Sequence, residues 1–379
     1  KDSAGWQVLF SSLEQNAIGI PARNVIKEGD SINFILQSDR YSYSFKNSLF
    51  PDEYSLTGTL KVDTLEVDYV LVKNIKRVNQ IERQEITFDS NGLQLGGTIW
   101  RPRQPNRRAL VFITSSGGAD RSGSRAEAMY FAQRGYTTFH YDKRGTGVSE
   151  GNWHSADMDD LCSDDINAIR YFSNQVKIPI SQIGIKGSSQ GGAKVPYILN
   201  EIQELKFGIS VSCPGSTLLE SDLNFWKNRN VQALGNDLES ASWLQKQVFE
   251  HIAGKISRED LEKSIEEKKL QPWFSSVWVP NLDEVNFDKK LLFSPLPHFE
   301  QVKQAVLIIQ GTSDEIIPVN SHSLISLALE IAENKNFKVI KLEQANHSMY
   351  HTGKSDFPYW AKLHKDYLNS MESWIDGIQ

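Results

Sequence analysis

The sequence predicts an α/β protein: a mostly parallel sheet with helices on both faces, a helical insertion over one end of that sheet, and a small β-rich region in front. Three observations carry this. From residue 84 onward, short apolar strands alternate with helical stretches, the pattern of a parallel sheet covered on both sides. Residues 1–78 instead show period-two alternation, the mark of strands with one buried face. A long, charged, helical stretch separates "FGISVSC" from "AVLIIQG".

In the β-rich region, "INFIL" alternates Ile32, Phe34 and Leu36, and "TLEVDYVL" alternates Leu65, Val67, Tyr69 and Leu71. The polar stretch "KRVNQIER" reads as a linker. Beyond it, "EITFDS" and "LQLGGTIW" read as a hairpin turning at "SNG". "ALVFITS" then leads to a helix at "RAEAMYFAQRG", "TTFHYD" to one near "SADMDDLCSDDINAIRYF", and "QIGIKG" to "GGAKVPYILNEI". "FGISVSC", "AVLIIQG" and "FKVIKLE" complete the strands of a body spanning 84–379. The interruption, about 216–300, opens with good helix formers and N-cap chemistry in "SREDLEKSIEEKK". It continues into "QPWFSSVWVP", whose Trp273, Phe274 and Trp278 either line a substrate pocket or pin the insertion to the body.

Composition narrows the function. Apolar residues make up 39% of 379, enough for a sizeable core. The net charge of -6 and the absence of a long basic run argue against nucleic acid as a partner. The longest apolar runs, such as "ALVFI", are far shorter than the roughly 20 residues that span a bilayer. The spacing of Cys162 and Cys213 implies no disulfide.

The pattern G-x-S-x-G occurs twice, at Gly187-x-Ser189-x-Gly191 and at Gly147-x-Ser149-x-Gly151. A nucleophile elbow needs its serine on a sharp strand-to-helix turn crowded by small residues. Ser189 qualifies: the strand "IGIKG" runs into it, a helix follows at once, and Gly187, Gly191, Gly192 and Ala193 keep the turn small. Ser149 sits in a loop, several residues after one strand and before the next helix. The same stretches nearly match two nucleotide motifs. Ala193 precedes Lys194 where a P-loop needs a lysine, and "GTGVSEG" misses G-x-G-x-x-G by one residue.

A nucleophilic serine needs a base and an orienting acid, which follow an elbow serine in the order acid, then histidine. Asp314 stands just past "AVLIIQG", with Glu315 as the neighbouring candidate, and His347 stands just past the last strand. The three strand ends meet on one edge of the sheet, where such sheets bind ligands. The spacing of His347 and His351 resembles a helical metal pair, but "HSMYH" lacks the glutamate of H-E-x-x-H. No metal or organic cofactor is expected. An oxyanion hole needs two backbone N–H groups. Gln190, directly after the nucleophile, supplies one; Ser116, or else Gly117, in the small-residue loop "ITSSGGADRSG" supplies the other.

Together "SSGGADR", "DKRGTGVSEG", "GSSQGG", "GTSDEIIP" and "NHS" resemble the α/β-hydrolase superfamily over roughly 84–379. Within it the chain is similar to bacterial serine esterases grouped with dienelactone hydrolase-like and prolyl-oligopeptidase-like enzymes. The resemblance implies Ser189 as nucleophile, Asp314 as acid, His347 as base, a helical cap for the insertion, and a structural role for the start of Asp142-Lys143-Arg144-Gly145. Many relatives carry His-Gly at the oxyanion loop; this chain has Thr114-Ser115. "EQNAIGIP" with "INFIL" resembles an accessory β domain that precedes such hydrolases in exported bacterial proteins, which implies export, with the cytoplasm as the alternative. The expected activity is that of a serine carboxylesterase on small or medium acyl esters. A prolyl-oligopeptidase-type peptidase ranks lower, because about 80 N-terminal residues are too few for a propeller. A thioesterase and a non-enzymatic binding module are the further alternatives.

Overall fold

Period-two alternation does build an antiparallel N-terminal sheet. A computed structural model describes residues 5–49, 55–72, 80–354 and 359–378. β1 (Leu9–Ser12) and β2 (Ala17–Pro21) form a separate hairpin. β3 (Arg23–Glu28), β4 (Ser31–Gln37), β5 (Ser42–Leu49), β6 (Ser55–Val62) and β7 (Leu65–Val72) make a five-stranded antiparallel sheet in sequence order. Among the described residues its buried cluster is Leu36, Phe45 and Leu60, and Trp360 from far along the chain packs against it. A sheet with so small a core gains from such outside support, since each buried Leu or Phe contributes about 1.5–3 kcal/mol.

The main sheet has eight strands. They are β8 (Ile81–Ser90), β9 (Leu93–Pro102), β10 (Ala109–Phe112), β11 (Thr137–Tyr141), β12 (Ile183–Ser188), β13 (Phe207–Val211), β14 (Ala305–Gly311) and β15 (Phe337–Leu342). The spatial order is β8-β9-β11-β10-β12-β13-β14-β15. β8 and β9 pair antiparallel, β9 runs antiparallel to β11, and every other pairing is parallel. The stretch read as a linker ends sooner than expected. Its residues 76–79 lie outside the described residues, and Ile81–Arg83 already belong to β8. β8 lies at the sheet edge, where one face meets water and polar residues fit a strand.

Strands buried on both faces explain the continuous apolar runs. Leu110 and Phe112 of β10 face one layer, with α1 (Arg125–Ala132) and α9 (Tyr367–Gly377). Val111 and Ile113 face the other, with α2 (Met158–Val176), α3 (Gln190–Glu201) and α8 (Ser321–Ile331). Asp157 starts α2 with a capping box, its side chain accepting from Asp160 N–H and that residue answering back.

The insertion folds as its own layer. α4 (Leu218–Leu234), α5 (Leu238–Ile252) and α6 (Arg258–Lys268) enclose a small core of Leu234, Ala241, Leu244, Val248 and Leu261. An irregular stretch and the short α7 (Leu296–Phe299) return the chain to β14. Cys162 and Cys213 are buried and unpaired. Among the described residues no helix is long and apolar enough to cross a membrane.

Candidate active site

β12 ends at Ser188 and α3 begins at Gln190, so Ser189 alone turns the chain, at φ 55° and ψ -124°. Positive φ in a residue with a side chain stores strain of order 1–3 kcal/mol. The turn is tied at both ends: Ser189 N–H donates to Val211 O at 2.9 Å, and its carbonyl accepts from Ala193 N–H at 3.0 Å. The small residues are required by contact. A Cβ on Gly187 would stand 2.2 Å from Gly191 O, and one on Gly191 would stand 2.8 Å from Thr114 O.

Asp314 follows β14, and its side chain is 1% exposed. Its Oδ1 accepts from Ile316 N–H and Ile317 N–H, both at 2.9 Å. His347, past β15, brings Nδ1 to 3.0 and 3.1 Å from the two Asp314 oxygens. An ionised carboxylate only accepts, so Nδ1 carries the proton and Nε2 is left as a base. Glu315 takes a different part: its carboxylate accepts from the His347 backbone N–H at 3.4 Å, not from the ring. Ser212 Oγ donates to His347 O at 2.8 Å and fixes the loop from behind. His347 and His351 lie on this irregular loop, not on a helix face.

Ser189 and His347 line one cavity of about 640 Å³, walled by apolar Phe112, Ile113, Ala126 and Met349. Leu13 and Asn16 from the N-terminal region also line it. Asn16 is anchored there: its Oδ1 accepts from Ala126 N–H at 3.0 Å and its Nδ2 donates to Ser122 O at 2.7 Å, closing the start of α1. A smaller cavity of about 140 Å³ holds Ser189, Gln190, Ser116 and Gly117 together. Gln190 is the first residue of α3, so its N–H has no acceptor inside the helix. Ser116 N–H has no acceptor among the described residues.

The three aromatics of the insertion lie elsewhere. Trp273 is 6% exposed within the insertion's own core, Phe274 packs against that core, and Trp278 is 54% exposed. None lines either cavity around Ser189. The insertion must bury apolar surface of its own to hold three helices together, and Trp273 and Phe274 serve that end.

Ser149 is a latch between loop and sheet. Its Oγ donates to Asp142 O at 2.6 Å and accepts from Gly96 N–H at 3.0 Å. Lys194, which nearly completed a P-loop, is wholly buried and paired with Asp165 at 2.6 Å. Asp165 also accepts from Tyr141 OH at 2.6 Å and Thr114 N–H at 3.2 Å, bracing the oxyanion loop. Asp142, Lys143 and Arg144 are all buried; Asp142 pairs with Arg121, and Arg144 pairs with Asp164 at 2.7 Å.

Site residues also escaped the sequence reading. Leu13 and Asn16 belong to a region read only as an accessory sheet. Asp222, on α4, lines both cavities. Its carboxylate is open to cavity water yet lies among protein atoms on most sides, and burial together with nearby Asp288 pushes its pKa up to about 6. It has no cation partner among the described residues. Nothing in "LLESDLNF" marks this one acid of several as the one facing inward.

Residues 91–349 match the family model described as X-Pro dipeptidyl-peptidase (S15 family). No curated protein sequence matches the chain. The esterase Pf2001 of Pyrococcus furiosus is similar over 79% of this chain and 91% of its own, with 13% identity and a TM-score of 0.50. DcsB, in complex with its substrate analogue, is similar over 79% of this chain and 100% of its own, with 16% identity and a TM-score of 0.50. At these identities the likeness shows the α/β-hydrolase fold.

Proposed function

The chain belongs to the X-Pro dipeptidyl-peptidase (S15) family of α/β-hydrolase enzymes, and from that premise we propose that it is a serine carboxylesterase acting on small or medium acyl esters. The observation that carries this reading is the Asp314–His347 hydrogen bond at 3.0 Å beside a cavity that His347 shares with strained Ser189. His347 Nε2 takes the Ser189 proton as Oγ attacks the ester carbonyl. Asp314 stays ionised and holds the ring in the productive tautomer. The oxyanion is received by the N–H groups of Ser116 and Gln190. The alcohol leaves with the proton from His347, and water then cleaves the acyl-enzyme by the same route. The apolar walls Phe112, Ile113 and Met349 suit an acyl chain.

A second reading, a peptidase releasing dipeptides from free amino termini, is favoured by the family's description and by Asp222. An ionised carboxylate facing the cavity without a cation would pair with a protonated substrate amine. Rates on p-nitrophenyl acetate and butyrate, set beside an aminoacyl-prolyl p-nitroanilide, decide between the two. The ester reading expects fast ester turnover and slow amide turnover. Fast amide cleavage, with most of it lost in Asp222→Asn, reverses the order.

A further inference from the structure

Three consecutive charges are buried after β11, and the middle one differs from its neighbours. Asp142 and Arg144 each have an ionic partner, whereas Lys143, 2% exposed, has no carboxylate partner among the described residues. An unpaired buried ammonium is costly, so its surroundings carry information. Lys143 Nζ donates to Ser115 O at 2.8 Å and to Gly117 O, and stands 4.5 Å from the centre of the Trp153 ring. Its two acceptors are therefore the carbonyls on either side of Ser116.

The chemistry follows from the peptide unit. Ser115 C=O and Ser116 N–H belong to one planar trans peptide, so the two bonds point in opposite directions. A cation that anchors Ser115 O behind the loop turns Ser116 N–H the other way. The hold on Gly117 O fixes the Gly117–Gly118 peptide as well, so the loop is gripped on both sides of Ser116. Ser116 N–H is free of any acceptor among the described residues, and Ser116 lines a cavity with Ser189 and Gln190. The ammonium also polarises the peptide it grips, which strengthens the N–H as a donor.

We propose that Lys143 is a positioning residue for acyl transfer: its ammonium grips the carbonyls of Ser115 and Gly117 and aims the Ser116 N–H at the developing oxyanion. This rests on the reading of Ser189 as nucleophile and Ser116 as oxyanion donor.

The surroundings make the grip sensitive to pH. Burial, the largest influence, moves the Lys143 pKa down to about 8. Lys194 on α3 and Lys290 in the insertion push the same way, and Asp165 on α2 opposes them. Below about pH 8 the ammonium is charged and the peptide is held; above it the neutral amine is a weaker donor and the hold loosens. The wild-type kcat therefore falls through an ionisation near pH 8.

The test uses the full chain with p-nitrophenyl acetate, measuring kcat and KM from pH 6 to 10 for wild type, Lys143→Met and Lys143→Arg. Lys143→Met is expected to lower kcat by about 10²–10³, the cost of losing one oxyanion donor, with KM nearly unchanged and the alkaline fall gone. Lys143→Arg is expected to restore at least part of kcat and to hold it flat through pH 9. Wild-type kcat in Lys143→Met, a loss carried by KM alone, or an unchanged alkaline fall overturns the proposal. Should Lys143→Met not fold, the wild-type profile decides, and a plateau without an ionisation near pH 8 overturns it. Fluorophosphonate labelling on the same preparations separates the two layers. Label that persists in Ser189→Ala defeats the nucleophile assignment, whereas loss of label there with an unaffected Lys143→Met defeats only the role of Lys143.

Discussion

Asp314 and His347, 33 residues apart, meet through Nδ1 at 3.0 Å, while Glu315 reaches only the backbone N–H of His347. Two adjacent acids thus divide one histidine between them, one holding the ring and the other its main chain. Asp314→Asn should preserve the fold and lower kcat by about 10⁴, because the amide favours the wrong ring tautomer. Glu315→Gln, at a long and partly exposed contact, should cost far less. Steady-state kinetics of the two variants checks this; the reverse ranking would assign the acid to Glu315.

Asp222 gives a prediction about stability. Its pKa is raised to about 6 from the usual 3.8, so the native state binds more protons than the unfolded state between those values. Stability from this group therefore falls as pH rises through that window, and the full cost of the charged form is present above about pH 6. Asp222→Asn should raise Tm at pH 7–8, and the gain should shrink towards zero near pH 4. Thermal melts across that range provide the check. A lower Tm at pH 7 would mean that the native carboxylate is favourably paired.

The aromatics of the insertion separate packing from catalysis. Trp273 is 6% exposed in the insertion core, so Trp273→Ala should cost about 3–5 kcal/mol. Trp278 is 54% exposed, so Trp278→Ala should stay within about 0.5 kcal/mol of wild type and leave kcat/KM unchanged. Chemical denaturation and ester kinetics on both variants test this. A rise in KM for Trp278→Ala without a change in stability would return that ring to the substrate site.

What the sequence disclosed follows the range of the interactions. Ser189 is legible because an elbow is local: strand, glycines and helix adjoin it in the chain. Asp314 and His347 are legible because each follows a strand, and parallel strands bring their ends to one edge. The register of β8 was misjudged at Ile81–Arg83, since an edge strand tolerates the polar residues that also make a linker. Trp273 depends on how the insertion packs on itself, and Asp222 on how the insertion rests on the body. "QPWFSSVWVP" and "LLESDLNF" are equally compatible with facing inward or outward. The resemblance implied a structural role at Asp142-Lys143, but the grip of Lys143 on the oxyanion loop is not local in sequence, since its burial depends on Trp153 and that loop closing over it.

The central claim, that Ser189 is the nucleophile, is met most directly by labelling the folded chain with a fluorophosphonate probe and mapping the modified peptide by mass spectrometry. The account predicts a single label on the peptide carrying Ser189, its complete loss in Ser189→Ala, and a fall in kcat of about 10⁶ in that variant. Absence of label on the folded wild type, or label that persists in Ser189→Ala on another serine such as Ser149, would contradict it.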